Sequence, residues 1–170
     1  MGRTMRVNFD TLYKNYPSSD PSHPNYLSQR DLFTEIGWDD FIGNPNYHNT
    51  CAIRVSIAFV KSGINIVPSS HRIQKGPYAG KGIEVNMRRL ANLMKRTSYL
   101  GEPEPFTPAT ARNGIGARNG VVAFNNIPGY TGGGHIDLVR GGSEATQCAS
   151  ACYYNSETIW FWPLQSSRGS

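Results

Sequence analysis

The sequence predicts an α+β fold, with an N-terminal helical part packed on a small antiparallel sheet. Three observations lead there. Apolar residues recur at helical spacing before residue 100, most clearly over 51–62. After Gly101 the pattern changes to short apolar runs bounded by Gly and Pro. The most apolar helix opens on a cysteine, Cys51, while a later strand carries a histidine, His135.

Taken in order, residues 6–16 read as a short amphipathic helix. Asn8 is its cap, Phe9, Leu12, Tyr13 and Tyr16 share a side, and Pro17 ends it. Residues 17–26 are rich in Ser, Pro and Asp and read as a loop. Ser28-Gln29-Arg30-Asp31 resembles a capping box ahead of Leu32, Phe33 and Ile36, and Gly37 closes that helix. An irregular approach over 37–49 leads to Cys51. The helix over 51–62 is apolar nearly all round, so it should be buried on most sides, and Gly63 stops it. A second helix is expected over 82–98, with Ile83, Met87, Leu90, Ala91 and Met94 as its core stripe. Pro103, Pro105 and Pro108 suggest an extended connection. Three strands follow: Gly120–Phe124, His135–Val139, and Thr158–Trp162 stopped by Pro163. Residues 128–134, with four glycines, read as a flexible turn, and the strands around it should pair antiparallel.

At 170 residues the chain has the length of one domain, 1–170, of which 166–170 have the composition of an expression scar. The apolar fraction of 38% supports a packed core, and 18 Gly with 11 Pro point to many loops. A net charge of +5 suits an acidic partner or polymer. Arg88-Arg89 and Lys95-Arg96 fall on the solvated face of a predicted helix and no recognition motif accompanies them, so no nucleic-acid role is expected. No run approaches the ~20 apolar residues of a membrane span. Met1 to Asp10 lacks the apolar centre of a secretory signal, which leaves a cytoplasmic protein or one exported without a cleavable leader.

Cys51 carries the chemistry. Asn49 and Thr50 before it are good N-cap residues, so its sulfur should sit in the first helical turn. Free N–H groups and the helix dipole favour negative charge there, which suits a thiolate nucleophile. His135 and Asp137 are two apart on a strand and share a face, while Ile136 and Leu138 point the other way. A polar pair on an otherwise apolar strand fits a cleft lining. Cys51 would then be the nucleophile, His135 its proton partner, and Asp137 the group orienting the imidazole. The Cys51 backbone N–H would face the oxyanion. His48 is close in sequence but expected to point away, and His23 and His71 have no visible partner. Arg54, one turn on, could reach substrate carboxylates or anchor the helix through an ion pair. The loops at Tyr47-His48 and Pro128–Tyr130 should wall the cleft. The spacing of Cys148 and Cys152 admits a local disulfide or half of a metal site. The scattered histidines offer no second half, which favours the disulfide and an oxidising compartment.

Asn-Thr-Cys-Ala-Ile-Arg-Val-Ser at 49–56, Gly134-His135-Ile136-Asp137-Leu138 and the Cys148/Cys152 pair together resemble the type VI secretion amidase effectors, fourth family. The resemblance runs from about residue 9 to Pro163. It implies a papain-like, NlpC-type fold and a cysteine amidase needing no metal or organic cofactor. It implies cleavage of peptidoglycan stem peptides between the γ-carboxyl of D-glutamate and the diamino acid. Such a protein is made in the producer's cytoplasm, delivered by the type VI machinery and active in the target's periplasm, and a cognate immunity protein blocks its cleft. The resemblance carries over to Cys51 and His135. Some members place the orienting acid between the paired cysteines, where this chain has Ala149-Ser150-Ala151. Asp137 takes that role here, with Ser150 or a nearby carbonyl as the alternative. Two alternatives stand beside this reading: another NlpC-type cysteine hydrolase with a different substrate, and, from a different class, a wall-binding module with Cys51 in its core, which would show exposed aromatics among Tyr13, Tyr16, Tyr26, Trp38 and Tyr47.

Overall fold

Strand β5 (Gly134–Arg140), which carries His135 and Asp137, is the pivot of the architecture. The computed structural model describes residues 7–130, 133–141 and 147–166; parts of the expected first helix, of the 128–134 turn and of the C-terminal tail lie outside them. A five-stranded antiparallel sheet has the order β3-β7-β4-β5-β6, with β3 at Glu104–Phe106, β4 at Asn119–Asn125, β6 at Gln147–Cys148 and β7 at Thr158–Leu164. A two-stranded ribbon pairs β1 (His71–Arg72) with β2 (Gly82–Ile83).

The helices begin and end where their caps dictate. Helix α1 (Phe9–Lys14) starts at Asn8, whose side chain accepts from the Thr11 N–H. Helix α2 (Gln29–Ile36) starts at Ser28, which accepts from Asp31 N–H, and ends on Gly37 at φ 80°, a conformation glycine adopts without a Cβ penalty. Helix α3 (Cys51–Lys61) is buried from Cys51 to Val60. Each Val, Ile or Phe there is worth about 1.5–3 kcal/mol of burial, which outweighs its modest helix propensity. Of its buried polar side chains, Ser56 donates its hydroxyl to the Glu84 carbonyl and accepts from the Glu84 N–H, tying α3 to the chain beyond β2.

Helix α4 is shorter than its apolar stripe suggested. It spans Met87–Met94, because Asn86 caps it by accepting from the Arg89 N–H. Ile83 keeps its core position but from β2, opposite His71. The proline-rich connection includes β3, which pairs with β7 at the sheet edge, where a proline is tolerated. Strand β7 continues through Pro163, since β3 covers only Ile159–Phe161 and leaves that end of β7 without a second neighbour. Helix α5 (Ala111–Ile115) has no counterpart in the sequence reading.

Strand alternation splits the core in two. Val121, Ala123, Ile136, Leu138 and Trp162 pack with α3 and the other N-terminal helices. Val122, Phe124, Val139, Ile159 and Phe161 pack with α5 and the Cys148–Cys152 region. Glycine is required at Gly134, where a Cβ would run into the Phe124 carbonyl. β6 pairs only with Val139 and Arg140, so the edge of β5 at His135 lies beyond its strand partner.

Candidate active site

Cys51 opens α3 and is 5% exposed. Thr50 holds the N-cap position without a capping side-chain bond; its Oγ1 accepts from Arg54 Nε instead. Asn49 supplies the acceptor for the Cys51 N–H, through Oδ1 at 3.3 Å.

His135 reaches the same place from the open edge of β5. One ring nitrogen, Nε2, lies 2.7 Å from Asp137 Oδ2, and the imidazole also hydrogen-bonds the Cys51 side chain. The ring stacks on Phe124 at 6.2 Å between centroids, and Tyr153 meets it edge-on at 5.0 Å. Burial alone would depress the basicity of this imidazole. The hydrogen bonds to Asp137 and Cys51, with their negative charges, outweigh burial and lift it to about 10.

Asp137 is fully buried, and every partner it has is a donor. Oδ1 accepts from the Leu138 N–H at 2.7 Å, and the Ser150 N–H approaches both oxygens. The Ala151 N–H adds a bond to Oδ2 at 2.9 Å. A buried carboxylate without such donors would be costly. Ser150 and Ala151 belong to the loop closed by the Cys148–Cys152 disulfide, whose Cα atoms are 5.3 Å apart. The side chain of Asp137 therefore does bend back to its i−2 neighbour. Ser150 contributes its backbone N–H to Asp137, while its hydroxyl bonds the Tyr16 hydroxyl at 2.7 Å and the Ser19 N–H.

A cleft of about 570 Å³ opens over these groups, lined among others by Ser19, Asn49, Cys51, Tyr130, His135 and Tyr153. His48 also lines it, contrary to the expectation that it points away. Tyr47 turns from the cleft to stack on Phe41 and bond His71. His23 likewise has a partner, the Tyr13 hydroxyl at 2.8 Å. Neither expected role of Arg54 is realised. It is 2% exposed and, besides Thr50, donates to the carbonyls of Pro17 and Leu27, so it fastens two N-terminal segments to α3. Of the aromatics that a wall-binding module would expose, Tyr16 and Trp38 are buried, Tyr13 and Tyr47 are half-buried and Tyr26 is exposed, so they form no continuous exposed stripe. Among the described residues, no group of three or more His, Cys, Asp or Glu side chains could hold a metal ion. Likewise, no helix there is long and apolar enough to cross a membrane.

A cysteine at the head of a buried helix, facing a histidine on an adjoining antiparallel sheet, is the arrangement of the papain-like fold. The chain belongs to a particular family with that fold: residues 47–162 match the family described as "Type VI secretion system (T6SS), amidase effector protein 4". The structure is similar to the type VI effector Tae4 from Enterobacter cloacae, with a TM-score of 0.70 at 16% identity over 96% of this chain and 99% of that one. The Tae4–Tai4 effector–immunity complex from the same organism gives 0.69 at 17% identity, over 95% and 100%. Tae4 from Salmonella typhimurium, bound to the E. cloacae immunity protein Tai4, gives 0.70 at 16% identity over 94% and 99%. No curated protein matches the chain.

Proposed function

We propose that this type VI amidase effector is a cysteine amidase that cuts peptidoglycan stem peptides between the γ-carboxyl of D-glutamate and the diamino acid. The observation that carries the reading is a histidine held between a cleft-lining cysteine and a buried, donor-saturated aspartate. His135 is the proton carrier, and Asp137 fixes its tautomer and balances its charge. The Cys51 thiolate attacks the amide carbon, forming an S–C bond and an oxyanion. The C–N bond then breaks, and the amine leaves with the proton from His135. Water, losing a proton to His135, releases the acyl group from the thioester as a carboxylate. No step calls for a metal or organic cofactor.

The basic surface suits an anionic wall polymer. The disulfide suits work in the oxidising periplasm of a target cell after delivery by the type VI machinery. The relatives solved in complex with Tai4 support a cognate immunity partner, and in this proposal that partner covers the cleft in the producer. Mass spectrometry of diaminopimelate-type muropeptides tests the substrate. The proposal expects loss of the intact stem and fragments split after D-glutamate; unchanged muropeptides would overturn it.

A further inference from the structure

We infer that Asn49 is a second oxyanion-hole donor beside the Cys51 backbone N–H, its side-chain amide swinging aside and presenting Nδ2 when a substrate oxygen replaces Oδ1 as the acceptor of that N–H. The inference rests on the cysteine-amidase reading and names a residue which that reading leaves without a role.

The N–H best placed for the oxyanion is already engaged. Cys51 N donates to Asn49 Oδ1 at 3.3 Å, beyond the usual 2.7–3.2 Å range. Asn49 lines the cleft alongside Cys51 and His135 and is only partly buried, so its amide has room to turn. An Asn amide carries an acceptor and two donors on one terminus, and a half-turn about its last torsion exchanges them. With the cleft empty, Oδ1 facing the N–H is the satisfied arrangement. With a negative oxygen accepting from the Cys51 N–H in place of Oδ1, the satisfied arrangement has Nδ2 donating to that oxygen as well.

The other catalytic side chain and the facing tyrosines have partners of their own. The His135 imidazole bonds Asp137 and Cys51. The Tyr130 and Tyr153 hydroxyls bond each other. Asn49 is the cleft side chain already touching the hole's backbone donor.

A purely structural role makes a different prediction. If Asn49 only caps α3, Asn49→Asp keeps its shape and its acceptor and should preserve both stability and activity. If it donates to the oxyanion, Asn49→Asp and Asn49→Ala should each lower kcat about 10²–10³-fold with KM little changed, since the bond exists only in the transition state. Alkylation of Cys51 by iodoacetamide forms no oxyanion, so it separates loss of a donor from an added charge acting on the thiolate. The experiment measures muropeptide turnover and alkylation rate for wild type, Asn49→Asp and Asn49→Ala. The expected result is a large kcat loss in both variants, with the alkylation rate of Asn49→Ala within threefold of wild type. Asn49→Asp turning over within threefold of wild type, or alkylation losses that match the kcat losses in both variants, would overturn the inference while leaving the amidase reading intact. A wild type inert towards muropeptides would remove that reading and this inference together.

Discussion

Replacing Asp137 by Asn tests how the histidine is held. The carboxylate has four donors around it: His135 Nε2 and the N–H groups of Leu138, Ser150 and Ala151. An amide has one acceptor oxygen, so at least one donor must face an NH₂ group. If the oxygen takes the Oδ2 side, the NH₂ meets the Leu138 N–H, at a site now 2.7 Å from it. If it takes the Oδ1 side, the NH₂ meets His135 and Ala151. An unsatisfied buried donor costs about 1–3 kcal/mol, which for a chain of this size lowers the melting midpoint by about 2–12 °C. The charge is lost in either case. Burial, the largest influence on His135, then depresses its basicity with less to oppose it. The expected kcat loss is about 10³–10⁴-fold, the scale seen when a triad histidine loses its carboxylate. Muropeptide turnover and a thermal melt on the same samples are the assay. A folded Asp137→Asn protein with kcat within tenfold of wild type would refute the reasoning.

Four further outcomes are expected. His135→Ala should abolish turnover at an unchanged fold by circular dichroism, because the attacking thiol and leaving amine lose their proton partner; residual turnover above about 1% of wild type would contradict that. The His135 imidazole is raised from an ordinary 6.5 to about 10, so its stabilisation is fully present below pH 6.5 and fades as pH rises towards 10. Melting midpoints of wild type should therefore fall more over that window than those of His135→Gln, and parallel curves would count against it. Arg54→Met should cost about 2–5 kcal/mol in urea denaturation, since it leaves the buried Pro17 carbonyl and its neighbours short of donors; a loss under about 1 kcal/mol would show that they find others. The double change Cys148→Ser with Cys152→Ser should lower kcat more than it raises KM, because the freed loop presents the Ser150 and Ala151 N–H groups to Asp137 less firmly. Unchanged kcat would mean the loop holds its shape without the bond.

The long helices and central strands were legible because their signals are local. Ser28 and Gly37 bracket α2 as capping chemistry requires, and Cys51 falls at the first residue of α3. Ile83 misled because a two-residue strand placed it at helical spacing from Met87; only Asn86, the true cap, marks the boundary. Pairs such as β1–β2 are too short to show a period. At the site, the Cys51, His135 and Asp137 positions could be read from helix-start and strand-alternation rules. The cradle around Asp137 could not, because it consists of backbone N–H groups, and any sequence supplies those. Arg54 was ambiguous for a related reason: its partners are carbonyls 27 and 37 residues away, which no charge pattern records. Tyr153 directly follows the disulfide and could have been suspected as a cleft wall; Ser19 left no signal.

The account turns on Cys51 as nucleophile, and intact-protein mass spectrometry after rapid quenching tests this directly. Wild type mixed with a diaminopimelate-type muropeptide should gain, transiently, the mass of the acyl part ending in D-glutamate, localised to the peptide containing Cys51. Cys51→Ala, folded as wild type, should gain no mass and release no diamino-acid fragment. Release of that fragment by Cys51→Ala at a rate near wild type would contradict the account.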